Sequence, residues 1–243
     1  MTRALTRTHW AAITAVVLAL LVAAAATVAT ARGGASSEQA GAAAAPAEDS
    51  ADAGFARDMA VHHQQAVEMS FIVRDRTKDE DVRRLAYDIA NTQANQRGML
   101  LGWLDLWELP KISMGEPMAW MASEQAQHGG HSGGHSGGHA GASGGDGGAS
   151  GGHEVRDGSL MPGMATKTEL AALARAEGKQ AEILYLQLMT DHHKGGVTMA
   201  RGCADLCEVG TERKLAQGMA DAQESELALL ADLLKQRGAK PRA

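Results

Sequence analysis

One eleven-residue pattern occurs twice in this chain and decides its fold. The stretch MAVHHQQAVEM occupies residues 59–69, and MTDHHKGGVTM occupies residues 189–199. Both copies read M-x-x-H-H-x-x-[small]-V-x-M, and the second begins 130 positions after the first. On an α-helix, which turns about 100° per residue, the methionines, the histidine pair and the small residue share one face. Each copy therefore predicts an amphipathic helix that carries imidazole and thioether groups along a single stripe.

The residue types on these stripes are ligands for soft metal ions. Imidazole nitrogen and thioether sulfur together suit copper, and thioethers favour Cu(I) over Zn(II). Methionine also fills irregular cores, so the four methionines are either ligands or packing. Copper is the expected ion, zinc and nickel are alternatives, and the two motifs form either one shared site or two. The candidate metal ligands are His62, His63, His192, His193, Met59, Met69, Met189 and Met199.

The repeat is wider than the motif and predicts a duplicated helical hairpin. At the same offset Phe55 corresponds to Tyr185, and residues 83–86 correspond to residues 213–216. Thr168 followed by Glu169 predicts the start of a short helix that stops at Gly178. Apolar residues at helical spacing predict long helices over about 55–73, 82–109, 179–207 and 212–236, with turns at 74–81 and 208–211.

These segments predict an all-α fold with one domain. A helical hairpin cannot bury its apolar face alone, so residues 51–109 and 166–238 are expected to dock as a four-helix bundle. Only 3% of the residues are aromatic, while Ala, Leu and Met are abundant, which favours helices over a β-sandwich. The net charge of −6 argues against a nucleic-acid partner. No Glu-x-x-His sequence occurs, which argues against a di-iron centre.

The N-terminus has the pattern of an export signal. Arg3 and Arg7 precede an uncharged apolar run at residues 8–31, which ends in an A-x-A sequence. Residues 1–31 are therefore either a cleaved signal peptide or a retained N-terminal membrane anchor. Basic residues before the run and acidic residues after it place the following domain outside the cytoplasmic membrane. Residues 32–50, rich in Ala, Gly and Ser, are expected to be a flexible tether.

The segment between the hairpins, residues 110–165, is rich in Gly, His and Met. It has too few apolar residues to pack, so a disordered linker is expected. Its side chains either collect metal ions or belong to a solvated spacer, and the regular spacing of the histidines favours metal capture. The auxiliary metal candidates here are His128, His131, His135, His139, His153, Met161 and Met164.

Two cysteines and two acidic residues complete the set of candidates. Cys203 and Cys207 are four residues apart, and their counterparts in the first copy of the repeat are Val73 and Thr77, so the cysteines are not part of the repeated pattern. They form an auxiliary metal site, a redox pair or a strained disulfide, or are small buried residues. Asp52 and Glu182 are expected outside the ligand set, where each could orient an imidazole.

The chain resembles the family catalogued as domain of unknown function 305. The resemblance is carried by Asp52-x-x-Phe55 before the first motif, its echo Glu182-x-x-Tyr185 before the second, and the Met-Pro-Gly-Met sequence at residues 161–164. Gln93, Gln223 and Glu226 also fit, whereas Ala181 and Glu182 stand where a Phe-Asp pair is usual and Gln96 stands where an acid is usual. The resemblance implies a ferritin-like four-helix bundle and includes exported copper-binding proteins linked to copper resistance.

Three functions are consistent with the sequence. The doubled Met/His stripe and the export signal favour an exported protein that sequesters or delivers copper without catalytic turnover. The alternatives are a metal-dependent redox enzyme of the cuprous oxidase type, and an envelope interaction module whose histidines support the core. A homo-oligomer and a copper-handling partner protein are both compatible with these readings.

Overall fold

Four long helices and one short helix form the part of the chain that the computed structural model describes, residues 45–122 and 157–242. The helices are α1 (Ala51–Arg76), α2 (Glu80–Leu106), α3 (Lys167–Arg175), α4 (Gly178–Leu206) and α5 (Gly210–Gln236). Helices α1 and α2 form one hairpin, α4 and α5 form the other, and α1 packs against α4. The all-α fold built from two repeated hairpins is confirmed.

The helix ends lie where polar side chains can satisfy the free backbone groups. The Asp79 side chain accepts a hydrogen bond from the backbone N–H of Val82 at 2.9 Å and caps α2. Thr166, not Thr168, caps α3 in a reciprocal capping box with Glu169. The first turn is only residues 77–79, shorter than predicted, because the flanking charged residues continue the helices. Basic groups at a helix C-terminus and acidic groups at an N-terminus are favoured by the helix dipole.

The core is divided into two apolar clusters. The first cluster contains Phe55, Met59, Leu104 and Met199, and the second contains Met69, Ile89, Tyr185, Met189 and Leu230. On every long helix, residues of the two clusters are separated by about two to three turns. Polar residues occupy that interval at residues 62–63, 93, 192–193 and 223. The bundle therefore has a buried polar layer between its two apolar ends.

Both ends of the predicted linker are packed against the bundle, which differs from the expectation of a wholly disordered segment. At one end, the Asp58 carboxylate accepts hydrogen bonds from the Met118 backbone at 2.8 Å and the Trp120 indole at 3.0 Å. At the other end, the Gln65 side-chain amide exchanges two hydrogen bonds with the Ala165 backbone, at 2.6 and 2.9 Å. Fixed polar partners on α1 thus offset the low apolar content of these ends.

Several predictions fall outside the described residues. They are the export segment, most of the tether, and the linker histidines His128, His131, His135, His139 and His153. Of the helices that the described ranges contain, none combines the length and the apolar character needed to cross a membrane.

Candidate metal centre

The two histidine pairs meet in the polar layer at the middle of the bundle. His62 and His63 come from α1, His192 and His193 come from α4, and all four side chains have no solvent exposure. The rings of His62 and His192 lie face to face, with centroids 3.7 Å apart and planes inclined by 34°. The two motifs, 130 residues apart in the chain, therefore contribute to one buried region. This set of four side chains is called the histidine layer below.

The outer histidine of each pair is held by the second helix of its own hairpin. His63 Nε2 lies 2.9 Å from Gln96 Oε1, and His193 Nε2 lies 2.6 Å from Glu226 Oε2. Because a neutral imidazole donates through one nitrogen only, donation from Nε2 leaves a lone pair on Nδ1. Gln96 and Glu226 occupy equivalent positions of the repeat, so the two hairpins present these histidines in the same way. One partner is a neutral amide and the other is a carboxylate.

The inner histidines link the two hairpins. His192 Nε2 donates to the backbone carbonyl oxygen of His62 at 3.0 Å, which again leaves Nδ1 with a lone pair. Neither nitrogen of His62 has a hydrogen-bond partner of normal geometry. Altogether five buried imidazole nitrogens are unpaired: Nδ1 of His62, His63, His192 and His193, and Nε2 of His62.

Two buried glutamines increase the number of unpaired polar atoms in this region. The side-chain oxygen and nitrogen of Gln93 and of Gln223 have no hydrogen-bond partner, although both residues are almost completely buried. Gln223 packs directly against Gly196, where any side chain would collide with the amide. A buried polar group without a partner costs about 1–3 kcal/mol, and proteins rarely keep several together. The layer therefore contains a concentration of buried polar atoms whose hydrogen bonds the described residues do not satisfy.

Burial keeps His62, His63 and His192 neutral. Desolvation, with the neighbouring imidazole His63, lowers the pKa of His62 to about 3, and the Pro162 backbone only partly opposes this. Desolvation likewise lowers the pKa of His63 to about 3, while its hydrogen bond to Gln96 acts in the opposite direction. Desolvation and then His62 place the pKa of His192 well below its usual value. Neutral imidazoles are the form that ligates metal ions, so no proton has to leave first.

The motif methionines lie in the apolar clusters on the two sides of the histidine layer. Met59 and Met199 belong to the first cluster, Met69 and Met189 belong to the second, and none is exposed. Met161 is also buried in the first cluster, and Met164 packs against it. All of these thioethers contribute to packing. Their arrangement puts sulfur on both sides of the layer along α1 and α4.

The Met-Pro-Gly-Met segment is fitted closely against α4 beside the second motif. Gly163 adopts a positive φ of 79°, and a side chain there would collide with the backbone carbonyl of Asp191. A side chain at Gly195 would in turn collide with the Pro162 carbonyl oxygen. Two glycines that face each other therefore let this segment reach the backbone of α4. It covers the layer on that side.

Comparison with known proteins agrees with this architecture. A family model described as domain of unknown function (DUF305) matches residues 52–234. The chain belongs to the DUF305 family. A crystal structure of a DUF305 protein from Streptomyces coelicolor, described as a candidate secreted protein, is 56% identical, with a TM-score of 0.65. It covers 81% of this chain and 99% of its own.

Two further solved structures are similar to this DUF305 chain at lower identity. A DUF305 fragment from Deinococcus radiodurans is 25% identical, with a TM-score of 0.54, and covers 76% of this chain and 96% of its own. The Cu(I)-bound form of CopM is 17% identical, with a TM-score of 0.51, over 76% and 96% of the two chains. At that identity the likeness to CopM concerns the fold. No protein of curated function matches this chain.

The two acidic residues expected beside the histidines are engaged elsewhere. The Asp52 carboxylate accepts hydrogen bonds from the backbone N–H groups of Glu208 and Val209, at 3.0 and 2.7 Å, and so stabilises the start of α5. Glu182 accepts from the Thr77 hydroxyl and forms a buried ion pair with Arg237 at 2.6 Å. Both acids lie near the first turn of their helices, about three turns from the histidines. The expectation that they orient imidazoles is therefore corrected: Gln96 and Glu226 do so.

The two cysteines form a disulfide. Cys203 lies in the last turn of α4 and Cys207 is its C-terminal cap, with Cα atoms 4.8 Å apart. Both are buried at the end of the bundle that contains the first apolar cluster. The buried carboxyl group of Glu212 lies beside them. Desolvation and the adjacent Asp52 carboxylate raise the pKa of Glu212 to about 9.

Sequence reasoning missed Glu212 and the roles of Gln96 and Glu226. The signal for Glu212 was present in the repeat, because its counterpart in the first hairpin is Val82, an ordinary core residue. An acid at a position where the other copy has a buried valine indicates a local function. The hydrogen bonds of Gln96 and Glu226 depend on how α2 and α5 rotate against the motif helices, which periodicity does not determine.

Proposed function

We propose that this DUF305 chain is an exported copper-binding protein that sequesters or delivers Cu(I), with the histidine layer as its principal site. The observation that carries the proposal is the group of five unpaired imidazole nitrogens, all buried and all on the two motif helices. A bound ion would satisfy groups that otherwise reduce the stability of the bundle. The ion is cargo, and no catalytic turnover is proposed.

The donor set favours copper over zinc. Within the described ranges, no three His, Cys, Asp or Glu donors of the histidine layer lie within 4.8 Å of one another. A structural zinc ion requires four converging ligands, whereas Cu(I) accepts fewer ligands and binds thioethers. Two imidazoles with a methionine sulfur from either side would suit Cu(I) after small rotations of the rings. CopM, which shares the fold, has been solved in Cu(I)-bound and Cu(II)-bound forms.

The alternative of a purely structural layer is less consistent with the hydrogen bonding. A core that uses histidine for support pairs both ring nitrogens, since each unpaired buried atom costs free energy. Here Nδ1 is unpaired on every histidine of the layer, and both nitrogens of His62 are unpaired. An interaction module would also need no such group at its centre.

Export is part of the proposal and is supported by two facts. The first 31 residues have the composition of a signal peptide or N-terminal anchor, and the Streptomyces relative is described as a candidate secreted protein. Copper handling outside the cytoplasmic membrane would suit a His-rich linker that collects ions and a buried layer that holds them more tightly.

Titration calorimetry with Cu(I) and Cu(II) tests the proposal on two matched variants. One variant changes His62, His63, His192 and His193 to Gln, and the other changes the five linker histidines to Ser. We expect the first to lose the tightest Cu(I) site, and the second to lose only weaker binding. Circular dichroism establishes that both remain helical. Unchanged Cu(I) binding in a folded layer variant would contradict the proposal and leave the linker as the binder.

A different measurement distinguishes a redox enzyme from a protein that only sequesters copper. Copper-loaded protein is mixed with excess Cu(I) in air, and dissolved oxygen is followed. Sequestration predicts no consumption beyond that of the copper in buffer. Consumption that scales with protein concentration over many equivalents would indicate an oxidase instead.

A further inference from the structure

The end of α4 carries a second group of metal-ligand atoms, well separated in the chain from the histidine layer. The sulfurs of Cys203 and Cys207 and a carboxylate oxygen of Glu212 all lie within 4.8 Å of one another, and all three residues are buried. Among the described residues this is the one set of three His, Cys, Asp or Glu donors that comes so close. In a tetrahedral zinc site, ligand atoms lie about 3.5 Å apart, given Zn–S and Zn–O bonds near 2.3 and 2.1 Å. The two sulfurs are joined in a disulfide in the structure, so this arrangement becomes available only after the S–S bond is reduced and the sulfurs move apart.

The buried Glu212 carboxyl group lies beside a second carboxyl group, that of Asp52, and the two can form a hydrogen bond only if they share a proton. The Glu212 side chain has no solvent exposure, and neither carboxylate oxygen accepts a hydrogen bond of normal geometry. Its nearest charged neighbour is another carboxylate, that of Asp52, which already receives two backbone N–H groups. Among the described residues, no basic side chain forms an ion pair with Glu212. A buried carboxyl group in such surroundings is costly unless a cation or a proton neutralises it.

The first hairpin provides an internal comparison for this site. At the equivalent positions it has Val73, Thr77 and Val82, of which the two valines are fully buried apolar residues. The Thr77 hydroxyl is used in a hydrogen bond to Glu182, whose charge is balanced by Arg237. The first hairpin therefore forms its helix–turn–helix without sulfur, and it has Val82 where the second hairpin has a buried acid. Packing alone does not require the set in the second hairpin.

We propose that Cys203, Cys207 and Glu212 form a thiol-dependent site for a thiophilic divalent cation of the Zn²⁺ class, and that the disulfide is its closed, metal-free state. Two thiolates and one carboxylate would supply three ligands, a set that suits Zn²⁺ better than Cu(I) because it includes a hard oxygen donor. The Asp52 carboxylate, which lies beside Glu212, would be the nearest candidate for a fourth ligand. This inference does not rest on copper binding in the histidine layer.

The conversion between the two states balances with a dithiol as the reductant. A dithiol transfers two electrons and two protons to the Cys203–Cys207 bond, so the S–S bond breaks and the dithiol becomes its own disulfide. The two cysteine thiols then each release a proton as they bind the cation, which is the usual coupling of thiolate ligation to pH. In the reverse direction a small-molecule disulfide accepts two electrons from the two thiolates and two protons from solvent, so it becomes its dithiol while the Cys203–Cys207 bond forms again and the cation is released. Metal and disulfide are therefore mutually exclusive.

The test uses Co²⁺ as a coloured probe for the full chain. Protein is reduced with a phosphine, desalted without air and shown to contain two free thiols, the number of cysteines in the chain. We expect one equivalent of Co²⁺ to give a sulfur-to-cobalt charge-transfer band, which the histidines cannot produce, and Zn²⁺ to abolish it. Glu212→Gln should lower Co²⁺ affinity by about 10-fold or more, the scale on which even groups beside the ligands act. Zn²⁺ should also slow alkylation of the thiols.

The control is a triple variant, Cys203→Val, Cys207→Thr and Glu212→Val, which copies the first hairpin and should fold as that hairpin does. It should give no sulfur band, and neither should the oxidised wild-type protein. If reduced wild type gives no sulfur band, or if Glu212→Gln binds Co²⁺ as tightly as wild type, the inference is wrong. Thiols that alkylate equally fast with and without Zn²⁺ would also overturn it.

Discussion

The carboxylate on the outer histidine of the second hairpin gives a quantitative prediction. His193 Nε2 donates to Glu226 Oε2 at 2.6 Å, whereas His63 Nε2 donates to the neutral Gln96 Oε1 at 2.9 Å. A hydrogen bond to a charged group contributes about 1.5–3 kcal/mol, and one between neutral groups about 0.5–1.5 kcal/mol. The carboxylate also makes the imidazole a stronger metal ligand. Glu226→Gln, which preserves shape, should therefore lose about 1.4 kcal/mol of Cu(I) binding, or roughly tenfold in affinity.

The first hairpin supplies the matched control for this prediction. Gln96→Glu places a carboxylate on His63 and should tighten Cu(I) binding by a similar factor, so that the double exchange returns close to wild type. The assay is competition for Cu(I) against a chromogenic chelator, with urea unfolding of the metal-free proteins to establish equal folding. If both single variants bind Cu(I) as wild type does while remaining folded, Nδ1 of these histidines is not the ligand atom and the reasoning fails.

Two further predictions concern stability. Metal-free protein should lose about 1.4 kcal/mol of unfolding free energy per pH unit, for each of His62 and His63, as the pH falls from about 6.5 towards 3. The reason is that the folded state holds the pKa of both imidazoles near 3, whereas the unfolded chain takes up protons in this pH range. Urea denaturation measures this loss, and equal stability at pH 7 and pH 5 would refute the prediction. Gly195→Ala should destabilise the fold by about 1–3 kcal/mol because its methyl group meets the Pro162 carbonyl. Gly218 has open space around it, so Gly218→Ala should instead stabilise the fold by up to about 1 kcal/mol. If thermal unfolding shows the same stability for the Gly195 and Gly218 variants, the close packing of the Met-Pro-Gly-Met segment is contradicted.

The helices could be predicted from the sequence because their signals are local. Apolar periodicity and the 130-residue repeat identified all four long helices and their pairing into hairpins. Their ends were less accurate, because the charged residues at 74–76 and 80–81 look like a turn but extend the helices. The duplicated His-His motif likewise identified the side chains of the buried layer.

The remaining features depend on contacts between distant parts of the chain. Asp52 was expected beside a histidine, but the start of α1 lies against the turn before α5, 156 residues away, where Asp52 accepts hydrogen bonds from the backbone of that turn. The packing of Trp120 and Ala165 depends on Asp58 and Gln65, which no local pattern connects to the linker. The sequence left open whether the two motifs share a site, and only the docking of α1 against α4 brings His62 to His192.

The most direct test of the account is the response of each histidine nitrogen to Cu(I). Long-range nitrogen–proton NMR on histidine-labelled protein identifies which ring nitrogen carries the proton and which shifts when diamagnetic Cu(I) is added. The account predicts neutral, Nε2-protonated rings at His63 and His192 before metal, and shifts at Nδ1 of the histidine layer with the first equivalent. If the first equivalent shifts only the linker histidines and leaves the layer unchanged, the central claim is wrong.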